Sequence, residues 1–288
     1  MTLGACLCGT VRYEIDGPFT AMMHCHCSMC RKQHGAPFAT FVAAALSGFR
    51  WLGGEDAIVE YASSEQGVRS HCRYCGSVTP MLLPQAGLAL MPAGNLDGDL
   101  GLKPQAHMFV GSKAAWYTIT DSLPQHAGMP PEFGGGSGLV RPVVPQREGV
   151  ADGSCLCGSV VFEYRAPQRM YQCHCSRCRK ARSAAHGANV FVKLDDFKFE
   201  RGEELVAQYK VPEAQRFTTA FCTRCGGKAP SVQRARGAVV VPAGTLDTDP
   251  LMRPQAHIFV GSKAPWFEIT DAYPQYAELP PPYCQTLM

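Results

Sequence analysis

Cys25-His26-Cys27-Ser28-Met29-Cys30-Arg31-Lys32 returns 148 residues later as Cys173-His174-Cys175-Ser176-Arg177-Cys178-Arg179-Lys180. The repetition continues on both sides. Upstream, Cys6-Leu7-Cys8-Gly9 matches Cys155-Leu156-Cys157-Gly158; downstream, Cys72-Arg73-Tyr74-Cys75-Gly76 matches Cys222-Thr223-Arg224-Cys225-Gly226. Pro92-Ala93-Gly94-Asn95-Leu96-Asp97 then finds Pro242-Ala243-Gly244-Thr245-Leu246-Asp247, while His107 and Trp116 find His257 and Trp266. The offset drifts by only a residue or two, as loops of slightly different length would cause. Solenoid repeats have periods of roughly 20–50 residues, so a far longer period signals a duplicated domain. Between the copies, Gly134-Gly135-Gly136-Ser137-Gly138 and then Pro142 and Pro145 have linker composition. The expected organisation is a first domain over 1–133, a linker over 134–150 and a second domain over 151–288.

Composition narrows the class. A net charge of +3 excludes a strongly polybasic chain, and the only basic cluster of note, Arg177 to Arg182, has no low-complexity tail beside it, which argues against a nucleic-acid partner. Apolar stretches such as Ala36 to Leu46 are too short for a membrane span of about 20 residues. Met1 to Cys6 carries no basic residue and no apolar core of the kind an export signal needs, so a soluble, cytoplasmic protein is expected. The 15 cysteines among 288 residues are the outlying feature. In a reducing compartment, clustered cysteines point to metal binding or catalysis before disulfides.

Apolar residues recur with period two at Val11 to Ile15, Ile58 to Tyr61, Trp116 to Ile119 and Val160 to Tyr164, and Val190 to Val192 is β-branched and aromatic. With 29 Gly and 22 Pro to make turns, the expectation is mainly β: two antiparallel domains of short strands. One short helical turn is expected after each cysteine triad, over Arg31 to Gly35 and Arg179 to Ala185.

Each copy holds seven cysteines, and Cys284 is left over. A structural zinc closes its tetrahedron with four protein ligands, whereas a catalytic zinc takes three and keeps a position open, so seven divides naturally into four and three. The Cys-x-x-Cys pairs Cys72/Cys75 and Cys222/Cys225 have the spacing of a zinc knuckle and need a second pair. Cys6/Cys8 and Cys155/Cys157 are available to supply it, which leaves Cys25, Cys27, Cys30 and Cys173, Cys175, Cys178 as triads. Spacing leaves open which pairs share an ion. His26 and His174 are also potential fourth ligands, although a residue wedged between two ligands tends to point away. His107 and His257 read first as buried strand residues, and Gly111-Ser112-Lys113 lacks the leading glycine of a phosphate loop.

Taken in order, Cys-x-Cys-Gly, Cys-His-Cys-x-x-Cys-Arg, Cys-x-x-Cys-Gly, Gly-x-Leu-Asp, and a His before Trp116/Asp121 or Trp266/Asp271 resemble the glutathione-dependent formaldehyde-activating enzyme family, which includes centromere protein V. The resemblance implies an Mss4-like β-tent fold in tandem with about two zinc ions per domain. Structural sites would be Cys6, Cys8, Cys72, Cys75 and Cys155, Cys157, Cys222, Cys225; open catalytic sites would be Cys25, Cys27, Cys30 and Cys173, Cys175, Cys178. It further implies a carbon–sulfur lyase or thiol–aldehyde condensing activity with glutathione as co-substrate and formaldehyde as the aldehyde. Arg31 and Arg179 are then the candidate contacts for an anionic substrate. The rival reading is a non-catalytic, zinc-stabilised binding module of the centromere protein V type. An intramolecular pseudo-dimer or a homo-oligomer is compatible with the duplication. Within the pattern, His71 stands where the second copy has Phe221.

Overall fold

Short β-branched and aromatic segments broken by Gly and Pro assemble into the same set of sheets twice. The computed structural model of the chain describes residues 1–65, 67–131, 135–136 and 144–281. Residues 134 and 137–143 of the expected linker, and Cys284, lie outside the described residues.

In the first half, Thr2–Ala5, Arg12–Ile15 and Phe49–Gly53 form an antiparallel three-stranded sheet. A five-stranded sheet follows in the order Ala106–Met108, Phe19–Cys25, Ala39–Ala45, Leu88–Pro92, Met81–Leu83, and Ile58–Ser64 pairs with Gly67–Cys72 as a separate hairpin. The second half repeats this with Ala151–Ser154, Val161–Tyr164 and Phe197–Arg201, a six-stranded sheet, and the hairpin of Val206–Lys210 with Thr218–Cys222. The fold is thus mainly β and in tandem.

Three local expectations change. The sheets are mixed: Ala106–Met108 runs parallel to Phe19–Cys25, and Ala256–Ile258 runs parallel to Arg169–Cys173. The chain between these partners is long enough for the crossover that parallel pairing requires. The helices are Ser28–His34 (α1) and Ser176–Arg182 (α2), each starting three residues before the expected turn. The cause is a sulfur N-cap: Cys27 Sγ accepts from Cys30 N and Cys175 Sγ from Cys178 N, both at 3.3 Å, so the third cysteine of each triad sits inside the helix. Finally, Trp116 to Ile119 is no strand. Tyr117 N turns back to Ala114 O at 3.1 Å, which frees Trp116 to pack elsewhere.

Where it packs defines the architecture. Ala114 and Trp116 are buried among Phe162, Tyr164, Met170, Val190 and Val241 of the second half, while Ala264, Trp266 and Phe267 are buried among Tyr13, Ile15, Met22, Val42 and Met91 of the first. Each core is therefore completed by the tail of the other half, in the manner of a swapped dimer joined in one chain.

The contacts across the junction come in matched pairs. A Cβ on Gly94 would lie 2.3 Å from Ala184 N, and one on Gly244 would lie 2.4 Å from Ala36 N, so the repeated Pro-Ala-Gly motif exists because the backbone of the other half crosses there. Lys32 pairs with Asp247 at 2.7 Å, matched by Lys180 with Asp97 at 3.0 Å. His71 meets Phe221 edge-on at 5.9 Å, and each presses on the knuckle glycine, Gly226 or Gly76, opposite it. His71 and Phe221, equivalent positions that differ between the copies, are thus partners at the pseudo-symmetric centre. No helix among the described residues is long and apolar enough to cross a membrane.

Candidate metal centres

Four sulfur clusters emerge from these strands and helices. Cys6 and Cys8, in the turn after Thr2–Ala5, meet Cys72 and Cys75, which flank the turn after Gly67–Cys72; Cys155, Cys157, Cys222 and Cys225 do the same in the second half. Sγ–Sγ separations include 3.4 Å for Cys6–Cys8 and 3.7 Å for Cys8–Cys72, and 3.4 Å for Cys155–Cys157 and 3.9 Å for Cys157–Cys222. A disulfide would need about 2.05 Å. Four sulfurs about 2.3 Å from one central ion would stand about 3.8 Å apart, so the donor set fits a tetrahedral thiolate site. Backbone N–H groups of Val11 and Val160 donate to Cys6 Sγ and Cys155 Sγ at 3.3 Å, which stabilises sulfur in its anionic form.

The triads gather Cys25, Cys27 and Cys30, and Cys173, Cys175 and Cys178, with all sulfurs of a cluster within 4.8 Å of one another. Each triad takes one ligand from the end of a strand, one from the helix cap and one from the first helical turn. The crowded sulfurs titrate as a set. Hydrogen bonding from Cys25 pulls the Cys27 thiol well below its ordinary range, and the same contact with Cys173 brings Cys175 down to about 3, while Cys25 and Cys173 are pushed up by their neighbours and by burial. One thiol of each triad is thus ready to ionise, and the others need a cation to follow. Three thiolates leave one position of a tetrahedron for another ligand.

His26 and His174 do not close that position through the nitrogens that are paired. His26 Nε2 lies 2.8 Å from His107 Nδ1, and His107 Nε2 lies 3.0 Å from both carboxylate oxygens of Asp121. The second half repeats the chain as His174, His257 and Asp271 at 2.8, 2.9 and 3.0 Å. The carboxylate accepts from Nε2–H of the middle histidine, so that ring's Nδ1 accepts in turn from Nε2–H of the first. Burial holds His26 at about 3 and pushes His174 down as well, so both rings are neutral at neutral pH. Together with the bonds from His26 N to Met108 O and His174 N to Ile258 O, both 2.9 Å, this relay clamps the triad loop to the parallel strand. The sequence reading of His107 and His257 as buried strand residues missed the relay; the shared spacing to Asp121 and Asp271 was the available signal.

The basic residues beside the triads separate by role. Arg31 Nε donates to Ser112 O and Arg179 Nε to Ser262 O, both at 3.2 Å, and both side chains are partly exposed. Lys32 turns inward to Asp247, to Ser154 O and Oγ at 2.8 Å, and to Thr245 O at 3.2 Å. Sequence reasoning overlooked Arg69, whose Nη1 and Nη2 both approach Cys30 Sγ at 3.6 Å.

Against known proteins, a family model described as glutathione-dependent formaldehyde-activating enzyme matches residues 1–112 and 150–262. A crystal structure of a Rhodobacter sphaeroides protein is 26% identical, covering 33% of this chain and 88% of that one, with a TM-score of 0.28. No curated protein matches the chain.

Proposed function

Because the chain belongs to the glutathione-dependent formaldehyde-activating enzyme family in both of its halves, we propose that it is a zinc-dependent carbon–sulfur lyase, or equally a thiol–aldehyde condensing enzyme, acting on glutathione and formaldehyde. The observation that carries the reading is the division of each half's cysteines into a cluster of four and a cluster of three. Zinc held by three thiolates and one open position can lower the pKa of an incoming thiol or polarise an aldehyde oxygen. Thiol capture is the better match, since three thiolates outweigh the charge of the ion and weaken it as a Lewis acid.

The protein's own groups support that chemistry in three ways. The Asp-His-His relay fixes the loop that carries the first two cysteines of each triad. Burial excludes water around the sulfurs, Cys175 being the one partly exposed member of the triads. Arg31 and Arg179, directly after the third cysteine, are the proposed contacts for the carboxylates of glutathione. Cys6, Cys8, Cys72, Cys75 and their second-half counterparts hold structural zinc in this account, and residues 134–150 join the two family domains.

Exchange between glutathione, formaldehyde and S-hydroxymethylglutathione, followed by NMR, tests the proposal because the uncatalysed reaction sets a measurable baseline. A protein-dependent rate gain that disappears in the Cys25→Ser/Cys173→Ser double variant is expected. Equal rates with and without protein would return the chain to the non-catalytic, zinc-stabilised alternative.

A further inference from the structure

Both triads have a guanidinium beside them, half-buried at Arg69 and buried at Arg182, and the two come from different places. In the first half it is Arg69, on Gly67–Cys72, lying against Cys30 Sγ while Nη1 donates to Gln33 Oε1 at 2.8 Å. The second half has Thr219 at the position of Arg69 and Ala181 at that of Gln33. There the guanidinium is Arg182, the last residue of α2, whose Nη2 donates to Asn189 Oδ1 at 3.0 Å; Asn189 Nδ2 lies 3.9 Å from Cys178 Sγ. The first-half equivalents of Arg182 and Asn189 are His34 and Phe41. Four positions have changed identity, yet each triad keeps a guanidinium joined to a side-chain amide beside its third cysteine, the guanidinium meeting the sulfur in the first half and the amide meeting it in the second.

A cation drawn even partly out of water needs a counter-charge. Neither arginine forms an ion pair with a carboxylate among the described residues; Arg69 lies 3.6 Å from the sulfur of Cys30, and Arg182 reaches that of Cys178 through Asn189. Each guanidinium also keeps an N–H without a partner among the described residues, at Nε of Arg69 and Nη1 of Arg182.

We propose that Arg69 and Arg182 are equivalent positioning residues, each holding a fixed positive charge at its triad so that an anionic sulfur ligand, a thiolate, can enter the fourth position. The inference rests on the reading of the triads as metal sites. A divalent ion with three thiolates carries a net charge of −1, and the guanidinium brings the assembly to zero before the fourth ligand arrives. A thiol binding there loses one proton to solvent, and its thiolate meets a neutral site in place of an anionic one. The guanidinium plane, held by Gln33 or Asn189, makes Arg the suited residue and Lys a poorer one.

The test uses the full chain with cobalt(II) in place of zinc, the other triad silenced by Cys175→Ser or Cys27→Ser, and titration with 2-mercaptoethanol or glutathione read from the thiolate-to-cobalt charge-transfer band. Arg69→Met and Arg182→Met are each expected to weaken thiol binding about tenfold or more, as removal of a unit charge a few ångströms away should, while cobalt content is unchanged. The combination Gln33→Ala, His34→Arg, Phe41→Asn and Arg69→Thr, which writes the second half's arrangement into the first, is expected to restore the affinity that Arg69→Thr alone loses. Full cobalt loading with thiol affinity within twofold of wild type in the Met variants would overturn the inference, as would a folded quadruple variant no better than Arg69→Thr. Absence of cobalt from the triads of the wild-type chain would instead remove the metal-site reading on which it stands.

Discussion

The clusters of four cysteines are held by the same backbone donors in both halves, whereas the two triads share a relay and an arginine contact to the same loop yet draw the guanidinium beside their third cysteine from different places. Each tetrad has the same strand-turn ligands, the same N–H donor five residues on, and a ring from the opposite half against its knuckle, Phe221 on Gly76 and His71 on Gly226. Around the triads, one guanidinium comes from a strand and the other from a helix, and the partner ion pair is buried on one side and open on the other: Lys32 is 2% exposed, Lys180 24%. The tetrads, the relay and the exchanged tails have stayed alike in the two copies, and the guanidinium beside each triad and the burial of the ion pair have been rebuilt.

The largest effects should come from the exchanged tails. Trp116→Ala and Trp266→Ala each empty a buried site and are expected to cost about 3–5 kcal/mol in denaturant unfolding. Hydrogen exchange should show each variant loosening the opposite half, strands Val161–Tyr164 and Gly187–Lys193 for Trp116 and strands Arg12–Ile15 and Ala39–Ala45 for Trp266. Loss of protection confined to the mutated half would break the comparison.

The ion pairs should respond unequally. Asp247→Asn strands the buried Lys32 ammonium and is expected to cost about 2–3 kcal/mol, whereas Asp97→Asn removes a partner that is itself 58% exposed and should cost under about 1 kcal/mol. Equal losses in thermal melts would mean that the two sides of the junction are alike after all.

A smaller effect follows from pH. Burial holds His34 and His186 at about 3. Their unfolded counterparts take up a proton near pH 6.5, so stability is flat above that value and falls as pH drops from 6.5 towards 3, by about 1.4 kcal/mol per histidine at pH 5.5. His34→Gln should flatten the pH dependence of the melting temperature over that range, and an unchanged slope would contradict the assignment.

Much of this was legible in the residues, and the reasons for the failures are physical. The repeat, the β class and the grouping of cysteines follow from motifs a few residues long. The start of α1 and α2 was misplaced because a thiol is not among the usual helix caps, yet Cys27 and Cys175 cap here. Trp116 to Ile119 has the alternation of a strand, but Trp116 serves a core on the other side of the chain, and nothing local records that. Arg69 lies 39 residues from Cys30, and its second-half substitute occupies a different position, so even comparison of the copies hides it.

The central claim is that triads and tetrads are two classes of metal site, and metal content of the purified full-length chain measures it directly. The account predicts about four zinc per chain, falling to about two in a Cys27→Ser/Cys175→Ser variant whose circular dichroism and melting are close to those of the wild type. Two zinc per chain in both proteins would contradict it.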